Sequence, residues 1–256
     1  AKPAACFALD THAGRGLYFL DDEASRRTGE ANEGVEALLG HDAPPPALEP
    51  YRAAIAACRA AHGGSAYPGS PWLLAHALRP QDAIACCEVQ PEEAAALRRC
   101  FAGDRRIGVH QRDGYAAVGA LLPPRHGGRR IGRGLVLVDP PYEAQRGEFD
   151  PVLAALREGL ARWPQGMFML WYPVKQRAAL GPFLRRAAQL PAKSVLLAEL
   201  MVRAEESVLR MNGSGVLVCN PPWRLDATLQ ALLPALQAAL APGRGAHRLQ
   251  WLREET

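Results

Sequence analysis

Short runs of apolar residues alternate with longer segments of mixed polarity along most of the chain. The short runs are typical of buried strands, and the longer segments have the length and spacing of helices. Such alternation predicts an α/β fold, in which a mostly parallel sheet carries helices on both faces. We predict seven strands, over residues 6–9, 83–88, 107–112, 135–138, 167–172, 194–202 and 213–220.

No helix separates the last two of these runs, which indicates an antiparallel hairpin at one edge of the sheet. Residues 28–66 are too long for a plain strand-to-helix connection. We therefore interpret residues 29–66 as an inserted helical subdomain that shapes the substrate side of a cleft, and residues 1–28 and 67–256 as the main domain. Helices are predicted over residues 50–61, 70–78, 91–101, 150–163, 176–190 and 225–240, with one more ending at 122.

The strand predicted at 135–138 runs directly into Asp139, Pro140, Pro141 and Tyr142. An exocyclic amine of a nucleobase is a poor nucleophile, so an enzyme that alkylates it must accept its hydrogens and hold its nitrogen towards the electrophile. The Asp139 carboxylate and the Pro140 carbonyl suit the two N–H bonds, and the Tyr142 ring suits stacking on the base. The alternative is a strand that simply ends at a proline turn.

The first predicted strand leads into a glycine loop that runs from Asp10 to Gly16 and also contains Gly14. Glycines let the backbone approach a cofactor closely, but Phe19 stands where a dinucleotide-binding loop has its third glycine. The loop therefore fits a nucleoside cofactor without phosphates, such as S-adenosylmethionine, better than NAD.

Acidic residues also end the next two predicted strands. Glu88 is suited to accept both hydroxyls of a ribose, and Asp113 to accept a hydrogen bond from an adenine amine. Each acid alone is explained as well by a helix N-cap. Ligands of open α/β sheets bind beyond the carboxyl ends of the strands, so we expect these two acids to converge with Asp10 and Asp139. Ser70 is expected to cap its helix, with a cofactor contact as the alternative.

A second motif with two prolines and an aromatic ring, at 220–223, competes for the catalytic role. Spacing favours Asp139, which follows Asp113 by 26 residues, close to the 25 between Glu88 and Asp113. Asn220 follows Asp113 by 107 residues. We still expect this second motif to line the substrate side, since its strand would end on the same rim.

Charge and composition change this picture little. The net charge of +4 and the pI near 8.8 suggest an acidic partner without requiring one. The arginine-rich balance suits phosphate and base recognition but is equally explained by the composition of the source genome. Basic residues expected on the catalytic rim are Arg15, Arg146, Lys175 and Arg224. The basic run at 125–133 precedes the Asp139 strand and is expected as a solvated loop at the opposite edge.

The cysteines and histidines show no metal-binding or disulfide spacing, so we expect reduced core thiols and no metal. No run reaches the ~20 apolar residues of a membrane span, and no secretory signal is visible. We therefore expect a soluble, monomeric protein of the cytoplasm.

Six motifs in order, at 10–16, 27–30, 67–71, 139–142, 170–173 and 220–223, resemble the RlmJ family. The resemblance covers nearly the whole chain. It implies a class I methyltransferase fold of Rossmann-like type and transfer of a methyl group from S-adenosylmethionine to the N6 amine of one adenine in 23S ribosomal RNA. It also implies Asp139 as the catalytic residue, and the cofactor contacts that it implies are His12, Ser70, Glu88, Asp113 and Gly114.

The adenine is expected in a loop or at a helix end, where a base is easily unstacked. The residues expected to bind the RNA are Tyr142, Trp171, Tyr172, Lys175, Trp223 and Arg224. Family members carry a segment rich in histidine, lysine and aromatics ahead of the first strand, and without it we expect reduced activity. Methylation of adenine in DNA, and nucleic-acid binding without catalysis, are the alternative functions.

Overall fold

The computed structural model describes residues 4–22, 32–40, 45–126, 128–142, 149–204 and 211–255. Within them, eight strands form a central sheet and four form two small hairpins. In chain order the strands are β1 (Phe7–Asp10), β2 (Leu17–Phe19), β3 (Ala66–Pro68), β4 (Ala83–Cys87), β5 (Ile107–His110), β6 (Arg125–His126), β7 (Arg129–Arg130), β8 (Gly134–Val138), β9 (Met167–Val174), β10 (Val195–Met201), β11 (Gly213–Cys219) and β12 (Ala246–Arg253).

The helices of the described residues lie between these strands, and none of them is both long enough and apolar enough to cross a membrane. The α-helices are Ala37–Leu39, Glu49–His62, Ser70–Ala77, Pro91–Cys100, Gly114–Leu121, Phe149–Arg162, Gly181–Ala187 and Leu225–Leu240. Asn32–Glu36 forms a π-helical turn, and Pro46–Leu48 and Arg177–Leu180 form 3-10 turns.

The central sheet has the order β12-β10-β11-β9-β8-β1-β4-β5. Strands β5, β4, β1, β8 and β9 are parallel neighbours, so they begin at one edge of the sheet, the amino edge, and end at the other, the carboxyl edge. All four residues of β1 are buried. A parallel strand covered by helices on both faces needs such a continuous apolar run, which confirms the α/β prediction.

The antiparallel part of the sheet differs from the prediction in one strand. Residues 246–253 form β12, which pairs antiparallel with β10, so the central sheet has eight strands within the described residues instead of the predicted seven. As a result, the β10–β11 hairpin lies inside the sheet and not at its edge. No residue of β12 is fully buried, since each is either half-buried or exposed, and a half-exposed edge strand gives a weaker apolar signal than a buried one.

The direction of β11 overturns a second expectation. Its last residue, Cys219, pairs with Phe168 near the start of β9, and the Asn220 side chain donates hydrogen bonds to the carbonyls of Pro164 and Gly166, 3.0 and 2.9 Å away. Strand β11 therefore ends at the amino edge, because the second strand of a hairpin runs opposite to the first. The prediction that Trp223 and Arg224 follow a strand ending on the catalytic rim is wrong.

The segment expected as an insertion connects β2 to β3, which pair with each other. Its longest helix, Glu49–His62, is held to β3 by a hydrogen bond of 2.7 Å between the hydroxyls of Tyr51 and Tyr67. The helix Ala37–Leu39 and the turn Pro46–Leu48 lie against the helix Leu225–Leu240. The domain boundaries themselves remain a prediction.

Trp163 joins several elements at the amino edge and provides a test of the packing. Its ring is 2% exposed and packs edge-on against Phe7 and Phe168, and its indole N–H donates to the carbonyl of Ile131 at 3.0 Å. Replacing a buried tryptophan by alanine removes this burial and leaves a cavity. We expect Trp163→Ala to lower the free energy of unfolding by about 3–5 kcal/mol, measured by urea denaturation. Trp72→Ala, at a half-buried ring, serves as the control, and equal losses in the two variants would contradict this expectation.

Candidate active site

The carboxyl edge brings together acids from four neighbouring strands. Asp10 ends β1, and Glu88, Asp113 and Asp139 follow β4, β5 and β8. Asp10 lies close enough to Asp139 and Glu88 for their charges to raise its pKa. The convergence of these strand ends, predicted from the sequence, is what the topology shows.

The first loop is held in place by the neighbouring strand. Gly14 and Gly16 have φ angles of +57° and +80°, a region that glycine adopts without steric cost. The Gly14 N–H donates to the Glu88 carboxylate at 2.9 Å, and the Ala13 N–H donates to the carbonyl of Cys87 at 2.9 Å. The Glu88 carboxylate also accepts from the backbone N–H of Gln90 at 2.7 Å. Glu88 is therefore fixed beside the glycine loop with lone pairs left for further donors.

Asp10 is fully buried, and only one of its two carboxylate oxygens accepts a hydrogen bond from a described residue. Its Oδ1 accepts from the His12 N–H at 3.3 Å, whereas Oδ2 is buried with no hydrogen-bond partner among the described residues. Burial raises the pKa of Asp10 to about 7, against the opposing effects of the Ser70 hydroxyl and the His12 N–H. A buried acceptor without a donor is costly, so the Asp10 environment fits a ligand that supplies one.

Ser70 does not take the capping role that was favoured for it. The N-cap of the helix Ser70–Ala77 is Gly69, and no side chain caps the helix. The prediction that Ser70 caps it is therefore wrong, because Ser70 lies one residue inside the helix. Its hydroxyl instead faces Asp10, at the wall of the same site.

Asp113 caps a helix, which was the alternative to its predicted role as a cofactor ligand. It is the N-cap of the helix Gly114–Leu121 and accepts from the Ala116 N–H at 2.7 Å. Because the capping bond uses one oxygen of an exposed side chain, the other can still accept a ligand amine. Gly114 packs directly on the first loop: a Cβ there would lie 2.0 Å from the carbonyl oxygen of Thr11. The start of this helix and the first loop thus form two touching walls.

His12 and Tyr115 add rings to this corner of the site, with centroids 5.1 Å apart in an edge-to-face arrangement. Burial lowers the pKa of His12, which favours a neutral ring, while the charges of Asp113 and Glu88 oppose this. Tyr115 is a residue that the sequence reasoning missed. Its position in the sequence could have indicated it, because Tyr115 directly follows Asp113 and Gly114, two residues that were predicted to contact the cofactor.

Thr11 is a second missed residue and links the two halves of the site. Its backbone N–H and its hydroxyl both donate to the carbonyl of Leu137, each at 3.0 Å. Leu137 lies two residues before Asp139, so this buried threonine fixes the glycine loop to the strand that carries the catalytic candidate.

Asp139 is exposed at the end of β8, while Pro140 beside it is buried. The surrounding protein removes part of the water around its carboxyl group and raises its pKa to about 6. An accessible carboxylate next to the first loop has the position that the proposed alkylation chemistry needs.

Tyr142 is held beside Asp139 by strand β9. Its hydroxyl donates to the carbonyl of Trp171 at 2.8 Å, and its ring centroid lies 5.9 Å from that of Trp171 and 6.0 Å from that of Phe149. The ring is half-buried, so an aromatic surface is fixed at the mouth of the site.

The two aromatic residues near the end of β9 have different roles. Trp171 is half-buried beside Tyr142, and Lys175 follows the strand at the carboxyl edge. Tyr172 is fully buried, and its hydroxyl donates to the Glu199 carboxylate at 2.9 Å. The prediction that Tyr172 binds substrate is therefore wrong, because neighbouring strand residues point to opposite faces of a sheet.

The remaining predicted residues do not add side chains to this cluster. Arg15 lies in the first loop, which follows β1 at the carboxyl edge, but its side chain pairs with the Glu93 carboxylate. Arg224 lies beside Trp223 at the amino edge. The motif at 27–30 and Arg146 lie outside the described residues. Within the run at 125–133, Arg125–His126 pairs with Arg129–Arg130 ahead of β8, at the opposite edge as predicted, while Ile131 is buried.

Comparisons with known proteins agree on one family. The family model described as "Ribosomal RNA large subunit methyltransferase D, RlmJ" matches residues 3–253. A protein named Ribosomal RNA large subunit methyltransferase J from Haemophilus influenzae (strain Rd) is 34% identical over 99% of this chain and 89% of its own length. A protein of the same name from Escherichia coli (strain K12) is 35% identical over 96% of this chain and 86% of its own length.

A crystal structure of a protein from Legionella pneumophila has the same fold. It superposes with a TM-score of 0.85 at 29% identity and covers 97% of this chain and 89% of that one. The match to the family model spans nearly all of the chain, and both relatives exceed 30% identity over most of their length. The chain therefore belongs to the RlmJ family of ribosomal RNA large subunit methyltransferases.

Proposed function

We propose that this protein transfers a methyl group from S-adenosylmethionine to the N6 amine of one adenine in 23S ribosomal RNA. The observation that carries the proposal is the accessible Asp139 carboxylate, set between the first loop and the fixed ring of Tyr142. Family membership supplies the ribosomal RNA as substrate, and the side chains at the carboxyl edge supply the chemistry.

The donors of S-adenosylmethionine fit the acceptors of the first half of the site. Its ammonium group offers the N–H that the buried Oδ2 of Asp10 lacks. Glu88 retains lone pairs for the ribose hydroxyls, and Asp113 retains one carboxylate oxygen for the adenine amine. When bound, this cofactor supplies an electrophilic methyl group on a sulfonium.

The residues at the end of β8 orient the acceptor. The Asp139 carboxylate and the Pro140 carbonyl accept the two N–H bonds of the N6 amine, which fixes the nitrogen and turns its lone pair towards the methyl group. The nitrogen becomes acidic only as it gains the methyl, and Asp139 then takes its proton and releases it to water. A carboxylate of ordinary basicity is sufficient for this role.

The target base must leave its stack to reach Asp139. Tyr142 offers a fixed aromatic surface for it, and Trp171 and Lys175 extend the same side of the site. Unpaired or terminal nucleotides cost least to unstack, so we propose a loop or helix-end adenine as the substrate. We propose that the inserted segment 29–66 adds to this RNA-binding side, since Tyr51 anchors its longest helix to Tyr67, three residues before Ser70 in the chain.

The raised pKa of Asp139 predicts a pH dependence. Asp139 must be ionised to accept the amine hydrogens, so kcat/KM for the RNA should fall about tenfold per pH unit below about pH 6 and stay level above it. Saturating S-adenosylmethionine keeps Asp10 in its ligand-bound state during the measurement. RNA binding over the same pH range, measured separately, is the control. A profile that stays level down to pH 5 would remove ionised Asp139 from the reaction.

Radiolabelled S-adenosylmethionine distinguishes the proposed function from its alternatives. The protein is incubated with unmodified 23S ribosomal RNA fragments and with DNA of the same sequence, and the products are digested to nucleosides. We expect label in N6-methyladenosine from the RNA alone. Label in the DNA would favour a DNA methyltransferase, and failure to bind S-adenosylmethionine in calorimetry would favour a binding protein without catalysis.

A further inference from the structure

The loop that follows β11 holds a strained backbone at the amino edge. Asn220 and Arg224 have φ angles of +53° and +63° and are the non-glycine residues with positive φ in the part of the chain that the structure describes. The Asn220 side chain fixes the loop by donating to the carbonyls of Pro164 and Gly166 and accepting from the Lys193 N–H at 2.8 Å. Strain of this kind persists where the surroundings enforce it and accumulates at functional sites.

The strained loop presents Trp223 to solvent. The side chain is 87% exposed, far more than any other large apolar residue in the described ranges. Its neighbour Arg224 contacts the ring, with the guanidinium carbon 5.2 Å from the ring centroid. A tryptophan held out in this way offers a flat ring to a partner outside the chain.

Exposed arginines lie on the same edge. The β6–β7 hairpin and the residue before β8 carry four of them: Arg125, Arg129, Arg130 and Arg133. None of the four makes an ion pair with a residue that the structure describes. Trp163 links the arginine hairpin to the loop of Trp223. Its indole N–H donates to the carbonyl of Ile131, which follows the hairpin, and the next residue, Pro164, accepts a hydrogen bond from Asn220. Unpaired positive charge therefore lies at the same edge of the sheet as the exposed ring.

We propose that these residues form a second RNA-binding surface, which takes an unpaired segment of the ribosomal RNA outside the methylated site. We call it the Trp223 surface, formed by Trp223, Arg224 and the four arginines Arg125, Arg129, Arg130 and Arg133. A base stacks on the indole ring and the arginines contact the neighbouring phosphates, which is how proteins bind single strands. The proposal rests on the proposed function, because that function supplies the RNA.

The charge of this surface favours RNA over a protein partner. The core of a protein–protein interface is depleted of charged residues, whereas this surface combines one ring with five arginines. It also lies at the edge opposite Asp139. An RNA long enough to reach both edges gains affinity from both surfaces, and a short RNA that carries only the target adenine gains none from the Trp223 surface.

Two variants of the full chain test the proposal: Trp223→Ala and the double variant Arg129→Ala, Arg130→Ala. Methylation is measured on a long 23S fragment and on a short stem-loop with the target adenine. We expect each variant to raise KM for the long fragment about tenfold, with kcat and the short-substrate KM unchanged. The double variant should also reduce the salt dependence of binding, since about two fewer phosphate contacts are made. Trp223→Phe, which keeps an aromatic ring, should restore most of the affinity.

A matched control removes the same charge elsewhere. Arg98 and Arg99 are also adjacent and exposed, on the helix Pro91–Cys100, and their double alanine variant should leave KM unchanged. Equal effects of the two double variants on KM, or a wild-type KM in all variants, would overturn the proposal that the Trp223 surface binds RNA. The proposed function would still stand in that case, provided that the wild-type protein methylates the RNA. Loss of methylation of both RNAs by the wild-type protein would instead overturn the proposed function.

Discussion

Asp139→Asn is expected to lower kcat for RNA methylation by about 10³-fold or more, with the affinity for S-adenosylhomocysteine unchanged. The amide keeps the size of the carboxylate but loses its charge and one of its two acceptor atoms, so it cannot take the proton that the amine releases. Loss of a positioned acid–base group costs about 10²–10⁴-fold, and loss of orientation at the nitrogen adds to this.

Asp139 suits this test because it is exposed, and its replacement leaves the packing of β8 intact. Single-turnover methylation of the 23S fragment gives the rate, and calorimetry gives the cofactor affinity. Asp226→Asn, at the start of the helix after β11, is the matched control at the opposite edge and should retain normal kcat. Wild-type turnover by Asp139→Asn would remove Asp139 from the mechanism.

Gly114→Ala is expected to weaken binding of S-adenosylhomocysteine by about 100-fold or more. The added Cβ would lie 2.0 Å from the carbonyl oxygen and 2.8 Å from the carbonyl carbon of Thr11, and both are backbone atoms that cannot move aside alone. The helix Gly114–Leu121 and the first loop must separate, which takes Asp113 away from the rest of the cofactor side. Overpacking of this kind also destabilises a protein by about 1–3 kcal/mol.

Calorimetry and urea denaturation measure the two effects of Gly114→Ala separately. Gly119→Ala lies on the same helix, and its Cβ would approach only the end of the flexible Glu158 side chain. It should therefore bind the cofactor normally. Normal affinity in Gly114→Ala would show that the two walls of the site tolerate separation.

The parallel half of the fold was predictable because most of its strands are apolar runs that a polar residue directly ends or follows. The helix Leu225–Leu240 has the bounds predicted from its sequence. The acids at the carboxyl edge were predictable for the same reason, since parallel strands that end together place their last residues together. Asp10, Glu88, Asp113 and Asp139 could thus be named from the sequence alone.

Other features depend on tertiary contacts that a local pattern does not contain. Tyr172 resembles its neighbour Trp171 in the sequence, but only the partner strands decide which of them reaches the core and Glu199. The motif at 220–223 resembles the one at 139–142, yet it lies at the other edge because its strand runs the other way. Nothing within the motif at 10–16 distinguishes Thr11, and its importance comes from one carbonyl of a strand that is distant in the sequence.

The double hydrogen bond from Thr11 to Leu137 has a consequence for the dynamics of the enzyme. It ties the first loop to the strand that ends at Asp139, so neither can move relative to the other without breaking hydrogen bonds in the centre of the sheet. The Thr11 amide should consequently exchange with deuterium as slowly as the most protected amides of the sheet. If the proposed function holds, the motions that admit and release the RNA arise in the surrounding segments, while the spacing between the first loop and Asp139 stays constant.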